Sequence, residues 1–245
     1  MRIDILTLFP EMVQNPLDQS IVGRAVSKGV IDLHIHNIRD YTTDKHHVVD
    51  DTPFGGGSGM VMMVEPLYRA IKAIDPDNKA KKIITDASGE SFNQTTAKKL
   101  MLEDWLLVIC GHYKGVDERI KELFDITELS IGDYVLTGGE IPALAIIDSV
   151  VRLVPGAIKE ISSAETDSFF EGLLGCPEYT QPRDFKGLSV PEPLTSGNHE
   201  RIRQWRLEKS LKKTLARRPD LLDYRELDDE EKMLLALEDN DVKSN

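Results

Sequence analysis

A chain of 245 residues with 40% apolar and 29% charged residues is ordinary globular material, long enough for one large domain or a domain with a small appendage. No run of 18 apolar residues occurs, which excludes a helical membrane span, and the opening MRIDILTLFPEM lacks the pattern of a secretory signal. The net charge of −12 hides an uneven distribution. Residues 201–218 hold eight Lys/Arg against one Glu, whereas residues 219–245 hold ten Asp/Glu against three Lys/Arg. A basic helix therefore stands beside an acidic tail, either as a nucleic-acid surface or as a solvated helix face. Cys110 and Cys176 are too few and too far apart for a disulfide framework or a CxxC metal site, so a reducing cytosol is the expected home. Cys110 ends an apolar run and reads as a buried small residue.

In chain order, residues 2–9 alternate as a strand that stops at Pro10. Residues 20–28 form a short helix capped by Ser20 and ended by Gly29, and residues 30–38 alternate again with Ile31, Leu33 and Ile35 on one face. Residues 40–59 are a polar, glycine-rich loop too long for a simple connection. A helix over 65–74, a strand over 82–85 and a helix over 94–103 follow. Residues 105–110 are a fully apolar strand, 117–124 a helix and 126–130 a strand. Strands alternating with helices predict an α/β domain with a mainly parallel sheet. The segment SIGDYVLTGGEIPALAIIDSVVRLVPG, from Ser130, is a glycine-punctuated apolar loop feeding an apolar helix expected to be buried nearly all round. Gly138 and Gly139 permit a tight turn with positive φ, and Glu140 and Pro142 suit a first helical turn. Residues 157–185 read as a linker, and the chain beyond Gly187 as helical, near 198–215 and 229–237. The division is 1–160 for the α/β domain, 161–185 for the linker and 186–245 for a small all-α domain.

Two nucleotide fingerprints are missing. No GxGxxG follows a strand and no GxxxxGK[ST] occurs. The run Gly55-Gly56-Gly57-Ser58-Gly59 instead leaves backbone N–H groups free to approach an anion or a base, or serves as a hinge. Gly111 to Arg119 leaves the end of the apolar strand, where open α/β sheets hold ligands. The Ile131–Gly139 loop also follows a strand, so two glycine loops line one pocket if those strands are neighbours.

Five segments then match a family: DDTPFGGGSGMVMM from Asp50; GHYKGVDER from Gly111; SIGDYVLTGG from Ser130; Asp167-Ser168-Phe169 with Gly172-Leu173-Leu174, Pro177 and Tyr179-Thr180; and Ser196-Gly197-Asn198-His199 with Trp205-Arg206. Together they resemble bacterial tRNA (guanine-N1)-methyltransferase, of the knotted SPOUT group, over residues 2 to about 222. The resemblance implies a deep trefoil knot, a rare exception to normal chain topology, and a homodimer. It implies S-adenosylmethionine as methyl donor, held near Gly111, Ile131, Gly132, Asp133, Tyr134, Val135, Leu136, Gly138, Gly139 and Pro142, with an Ala87-Ser88-Gly89 turn closing the pocket. It implies methylation of guanosine 37 beside the anticodon. Asp167 would be the base that takes the N1 proton and Arg152 the cation facing O6. Without the resemblance, Arg152 reads as a helix C-terminal cap and Asp167 as an N-cap or solvated acid. Asp50, Gly55, Gly56 and Gly57 would approach the target base, and Ser196, His199, Arg206 and the 201–218 stripe would hold the tRNA anticodon branch.

The chain departs from the family pattern at Lys114, where many members carry Glu, and at Gln181, where Arg usually precedes the Pro. A non-catalytic RNA-binding protein of the same fold, or a SPOUT enzyme on another RNA, are the rival readings. Arg152, Asp167 and the complete Ile131–Gly139 loop argue against the first, and the C-terminal SGNH and Trp205-Arg206 against the second.

Overall fold

The computed structural model describes residues 1–158, 167–223 and 225–241. The chain forms two compact units, Met1–Ile161 and Ser162–Asn245. In the first, β1 (Arg2–Thr7), α1 (Pro10–Leu17), α2 (Ser20–Ser27) and β2 (Asp32–Asn37) are followed by the short strands β3 (Asp50–Asp51) and β4 (Val61–Met62). Then come α3 (Val64–Ile74), β5 (Lys81–Ser91), α4 (Gln94–Leu100), β6 (Trp105–Cys110), α5 (Arg119–Leu123), β7 (Ile126–Ser130) and α6 (Glu140–Val151).

Five strands form one sheet in the order β2-β1-β6-β5-β7, and each pair is parallel. Parallel sheets are covered on both faces, which is why β6 is apolar without alternation. The pleat sends Ile83, Leu106, Val108 and Cys110 to one core, shared with Ala143, Ile147 and Val150 of α6. Ile84, Leu107 and Ile109 go to the other, shared with Leu67 and Ile71 of α3 and Ile120 of α5. The mainly parallel α/β sheet expected from the alternation of elements is therefore present.

Several expectations need correction. Pro10 opens a helix instead of merely ending β1; its fixed φ suits a first helical position, and Val13 and Leu17, four apart, are the buried face. Ser20 lies inside α2, whose cap is Gln19, and no side chain bonds the cap. Strand β5 runs on to Ser91, with a register shift between Thr85 and Glu90 against Leu129. Ala87-Ser88-Gly89 is thus a bulge within a strand and not a turn. A Cβ on Gly89 would lie 2.6 Å from the Glu128 carbonyl carbon, so the bulge needs glycine for close backbone approach. Finally, α6 is not buried all round: Ile141, Ala145 and Asp148 are exposed, since sheet and neighbouring helices cover only the other side.

In the second unit, the hairpin strands β8 (Asp184–Phe185) and β9 (Leu188–Ser189) precede α7 (Glu192–Thr195), α8 (His199–Arg217), α9 (Asp220–Asp223) and α10 (Asp229–Asp241). Asn198 caps α8 by accepting from Arg201 N at 3.1 Å. Of the span expected as a linker, residues 161–166 lie outside the described residues. Residues 167–185 belong to this unit, where Leu174 N donates to Thr214 Oγ1 of α8 at 2.9 Å.

A buried charge cluster sits where β1 meets β2 and β6. The Asp4 carboxylate, with no exposed surface, accepts from Arg2 Nε at 2.7 Å, Trp105 Nε1 at 2.7 Å and faces His36 Nε2 at 2.7 Å. Burial alone would raise its pKa, but the hydrogen bonds from His36, Arg2 and Trp105 outweigh it and hold the group at about 2, against 3.8 unperturbed. A carboxyl depressed in the folded state stabilises above its unfolded pKa, and that contribution disappears as pH falls through the folded value. Asp4→Asn should therefore cost about 2 kcal/mol at neutral pH. Urea titrations of the two proteins should converge as pH falls from about 4 to about 2; an unchanged gap at low pH would show that Asp4 acts by packing alone.

Candidate functional site

The carboxyl ends of β6, β5 and β7 are adjacent, and the loops leaving them meet. Gly139 N donates to Gly111 O at 2.7 Å, and His112 and Gly138 form an isolated antiparallel bridge. Thr85 Oγ1, at the end of regular β5, donates to Gly139 O at 3.1 Å. The two glycine loops therefore close on each other over the strand between them, as the condition of neighbouring strands required.

Gly138 and Gly139 do not use the positive φ that glycine permits. They are needed for space. A Cβ on Gly139 would collide with Thr85 Oγ1 and lie 2.6 Å from Gly111 N; one on Gly138 would collide with the His112 ring and lie 2.5 Å from Glu140 Oε2. The left-handed positions are elsewhere, at Gly115 (φ 121°) and Tyr113 (φ 60°) in the turn closed by Gly115 N→His112 O at 3.0 Å. Under the loop, buried Glu140 accepts from Thr7 Oγ1 at 2.7 Å, and its other oxygen lies 3.2 Å from His112 Nε2, outside good hydrogen-bond geometry. Cys110 is fully buried, and burial first, then the Glu140 charge, raises its thiol pKa well above the usual value.

These loops enclose a cavity of about 300 Å³. Of the residues expected around a methyl donor, Ala87, Gly111, Ile131, Gly132, Tyr134, Val135, Leu136, Gly138, Gly139 and Pro142 line it; Ser88, Gly89 and Asp133 do not. The sequence reading missed Thr85, Asp86, Leu129 and Thr137 as walls. The one signal available, a weak one, was that Thr85 and Asp86 close the apolar part of β5, as Cys110 and Ser130 close β6 and β7. Arg152 is half-buried at the C-cap of α6, with its N–H bonded to Asp148 O at 3.2 Å, so the capping position is what the backbone displays.

The 50–63 segment is stitched to the 111–117 loop. Met62 N donates to Gly115 O, Lys114 N to Met60 O and Asp117 N to Met62 O, each at 3.0 Å. Lys114, the departure from the family pattern, lays its alkyl chain on Gly59, where a Cβ would lie 3.1 Å from its Cε. Burial first, and then Asp50 at its hydroxyl, raise the Tyr113 pKa. Asp50 thus stands beside a wall of the cavity. Gly55, Gly56 and Gly57 have φ of 83°, 78° and 116°, with nothing where a Cβ would go. Their need is conformational.

Within the second unit, Asp167, His199 and Arg206 line one hollow of about 400 Å³. The resemblance divides them between two tasks, Asp167 as base and His199 and Arg206 as holders of the tRNA. Ser196 shapes the start of α8, donating to Pro193 O at 2.7 Å and accepting from Asn198 N at 3.2 Å. The basic stripe is less bare than its composition implies: Arg203 pairs with Glu200 and Glu230, Arg201 with Glu192, Lys212 with Glu208, and Arg218 with Asp220. Exposed pairs of this kind are individually weak, so they do not lock these cations away. Among the described residues no group of His, Cys, Asp and Glu is placed to hold a metal, and no helix is long and apolar enough to cross a membrane.

Residues 1–224 match the family model described as tRNA (Guanine-1)-methyltransferase TrmD. Three similar curated proteins carry the name tRNA (guanine-N(1)-)-methyltransferase. That of Carboxydothermus hydrogenoformans is 54% identical over 96% of this chain and 92% of its own length. That of Dictyoglomus turgidum is 51% identical over 96% and 95%, and that of Geobacter metallireducens 49% over 99% and 100%. A match over nearly the whole chain, which includes the loops that close the cavity, establishes that this protein belongs to the tRNA (guanine-N1)-methyltransferase family.

Proposed function

We propose that the protein transfers a methyl group from S-adenosylmethionine to N1 of guanosine 37 of tRNA, next to the anticodon. We further infer a cytoplasmic homodimer with a trefoil knot through the cofactor region. The observation that carries this reading is the glycine-locked cavity at the ends of β5, β6 and β7, in a chain of a tRNA methyltransferase family. Its walls suit a flat adenosyl group: Leu129, Ile131, Val135 and Leu136 are apolar, and the loop backbone offers donors and acceptors to a base edge. When bound, S-adenosylmethionine supplies an electrophilic methyl on a sulfonium sulfur.

The protein's own task is set by guanine. N1 of the neutral base carries a proton and has no in-plane lone pair for attack. The Asp167 carboxylate takes that proton as N1 is alkylated, and the Arg152 guanidinium offsets the charge growing on O6. Asp167 belongs to the second unit and the cavity to the first. In a homodimer, the second unit of one subunit would serve the cavity of its partner. Asp50 and Gly55, Gly56 and Gly57 would meet the target base and its 5′ neighbour, while Ser196, His199, Arg206 and the cations of α8 would hold the anticodon branch by phosphate contacts.

Asp167→Ala should retain S-adenosylmethionine binding by calorimetry and lose about 100-fold or more in methyl transfer; unchanged turnover removes Asp167 as the base. With labelled donor, a transcript carrying guanosine at position 37 should be methylated and one carrying adenosine should not. Transfer to both would defeat the N1-guanine assignment. Gly139→Ala should lower the melting temperature and weaken donor binding at least 10-fold, because the new methyl displaces Thr85 and the Gly111 backbone. Undiminished affinity would place the donor elsewhere.

A further inference from the structure

The hollow of the second unit has a composition that the base-catalyst role of Asp167 does not account for. Leu173, Ile202 and Leu207 give it an apolar lining, and Asp167, Glu171 and Glu178 bring three carboxylates to it. These carboxylates are not equivalent. Glu178 is engaged, 3.9 Å from Arg206 Nη2 and accepting from Cys176 Sγ at 3.5 Å. Glu171 is exposed and makes no hydrogen bond or ion pair among the described residues. The turn that carries it is held: Phe169 N donates to Leu173 O at 2.7 Å, and Gly175 N to Ser168 Oγ at 2.8 Å. A fixed turn thus presents an unspent acceptor four residues from Asp167, in the same hollow.

Guanine is the base that such a pair suits. Its Watson–Crick edge carries two adjacent donors, N1–H and the N2 amine, and ionised carboxylates are acceptors only. Adenine offers an acceptor at N1, which a carboxylate repels. A base turned out of its stack is read by contacts to this edge while its face rests on apolar side chains. Resting on the reading of Asp167 as the N1 base, we propose that the hollow is a guanine-reading pocket in which Glu171 accepts a hydrogen bond from the N2 amine of the target base. Arg206, which also lines the hollow and lies 3.9 Å from Glu178, offsets part of the negative charge brought together there. Glu171 is then a specificity residue that leaves the proton transfer to Asp167.

The test uses the full-length protein and two tRNA transcripts, with guanosine or inosine at the target position. Inosine keeps N1–H and O6 but lacks the N2 amine. The wild type should prefer guanosine by roughly 10- to 100-fold in kcat/KM, the scale of one hydrogen bond to a charged acceptor. Glu171→Ala should bring that ratio close to one, and Glu171→Gln, which keeps a carbonyl acceptor, should restore part of it. Binding of both transcripts is measured alongside, so that the ratio can be read even where no methyl is transferred. A wild-type ratio near one, or a ratio that Glu171→Ala leaves intact, overturns the proposal. Asp167→Ala judges the parent reading separately: it should depress transfer to both bases alike, and its failure to do so removes the base without altering what the ratio says about Glu171.

Discussion

Everything at the cavity depends on one close approach: the backbone of Gly139 against that of Gly111, with the Thr85 hydroxyl pinning the carbonyl from below. Parallel strands place their carboxyl ends side by side, but this alone leaves two loose loops. The 2.7 Å hydrogen bond between them converts two loop ends into a wall and aims α6 back over the sheet. It exists only because neither Gly138 nor Gly139 carries a side chain. The local rule that made them glycine is steric exclusion by residues distant in sequence, such as Thr85 and His112.

That explains what was legible in advance. Apolar runs and helix periods located most of the sheet strands and long helices, because these patterns are local and the parallel sheet demands burial on both faces. Pro10 misled because proline both ends strands and begins helices, and only the burial of Val13 and Leu17 decides between them. The β5 bulge was invisible, since Gly89 looks like any turn glycine until the Glu128 backbone is beside it. The cavity walls were mostly legible from glycine loops following apolar strands. Thr85 and Asp86 were not, because a polar pair after the apolar part of β5 is only a weak signal until the neighbouring loops are seen to meet there. Gly55, Gly56 and Gly57 have the same letters as Gly138 and Gly139 but a different cause, backbone conformation in open space.

The second unit gives a complementary lesson about charge. A count of eight cations against one anion within 201–218 describes a bare basic face, yet four of its arginines and lysines face carboxylates from outside that span or one turn away along α8. Arg203 reaches Glu230 of α10, in the acidic region whose composition had looked like an independent tail. The two charge blocks are one folded object. If this face holds tRNA as proposed, its weak surface pairs would have to exchange for phosphates, which would tie affinity to ionic strength.

The buried Cys110 has a consequence for chemical safety. If the pocket holds an alkylating sulfonium, as proposed, a sulfur atom of the kind that such donors methylate most readily when ionised lies beneath its glycine lock. Burial and the neighbouring Glu140 charge keep that sulfur in the thiol form, and Gly139 lies over its backbone. The arrangement that makes the lock close-packed would then also keep the protein from alkylating itself, and an exogenous base would be the nucleophile left to the site.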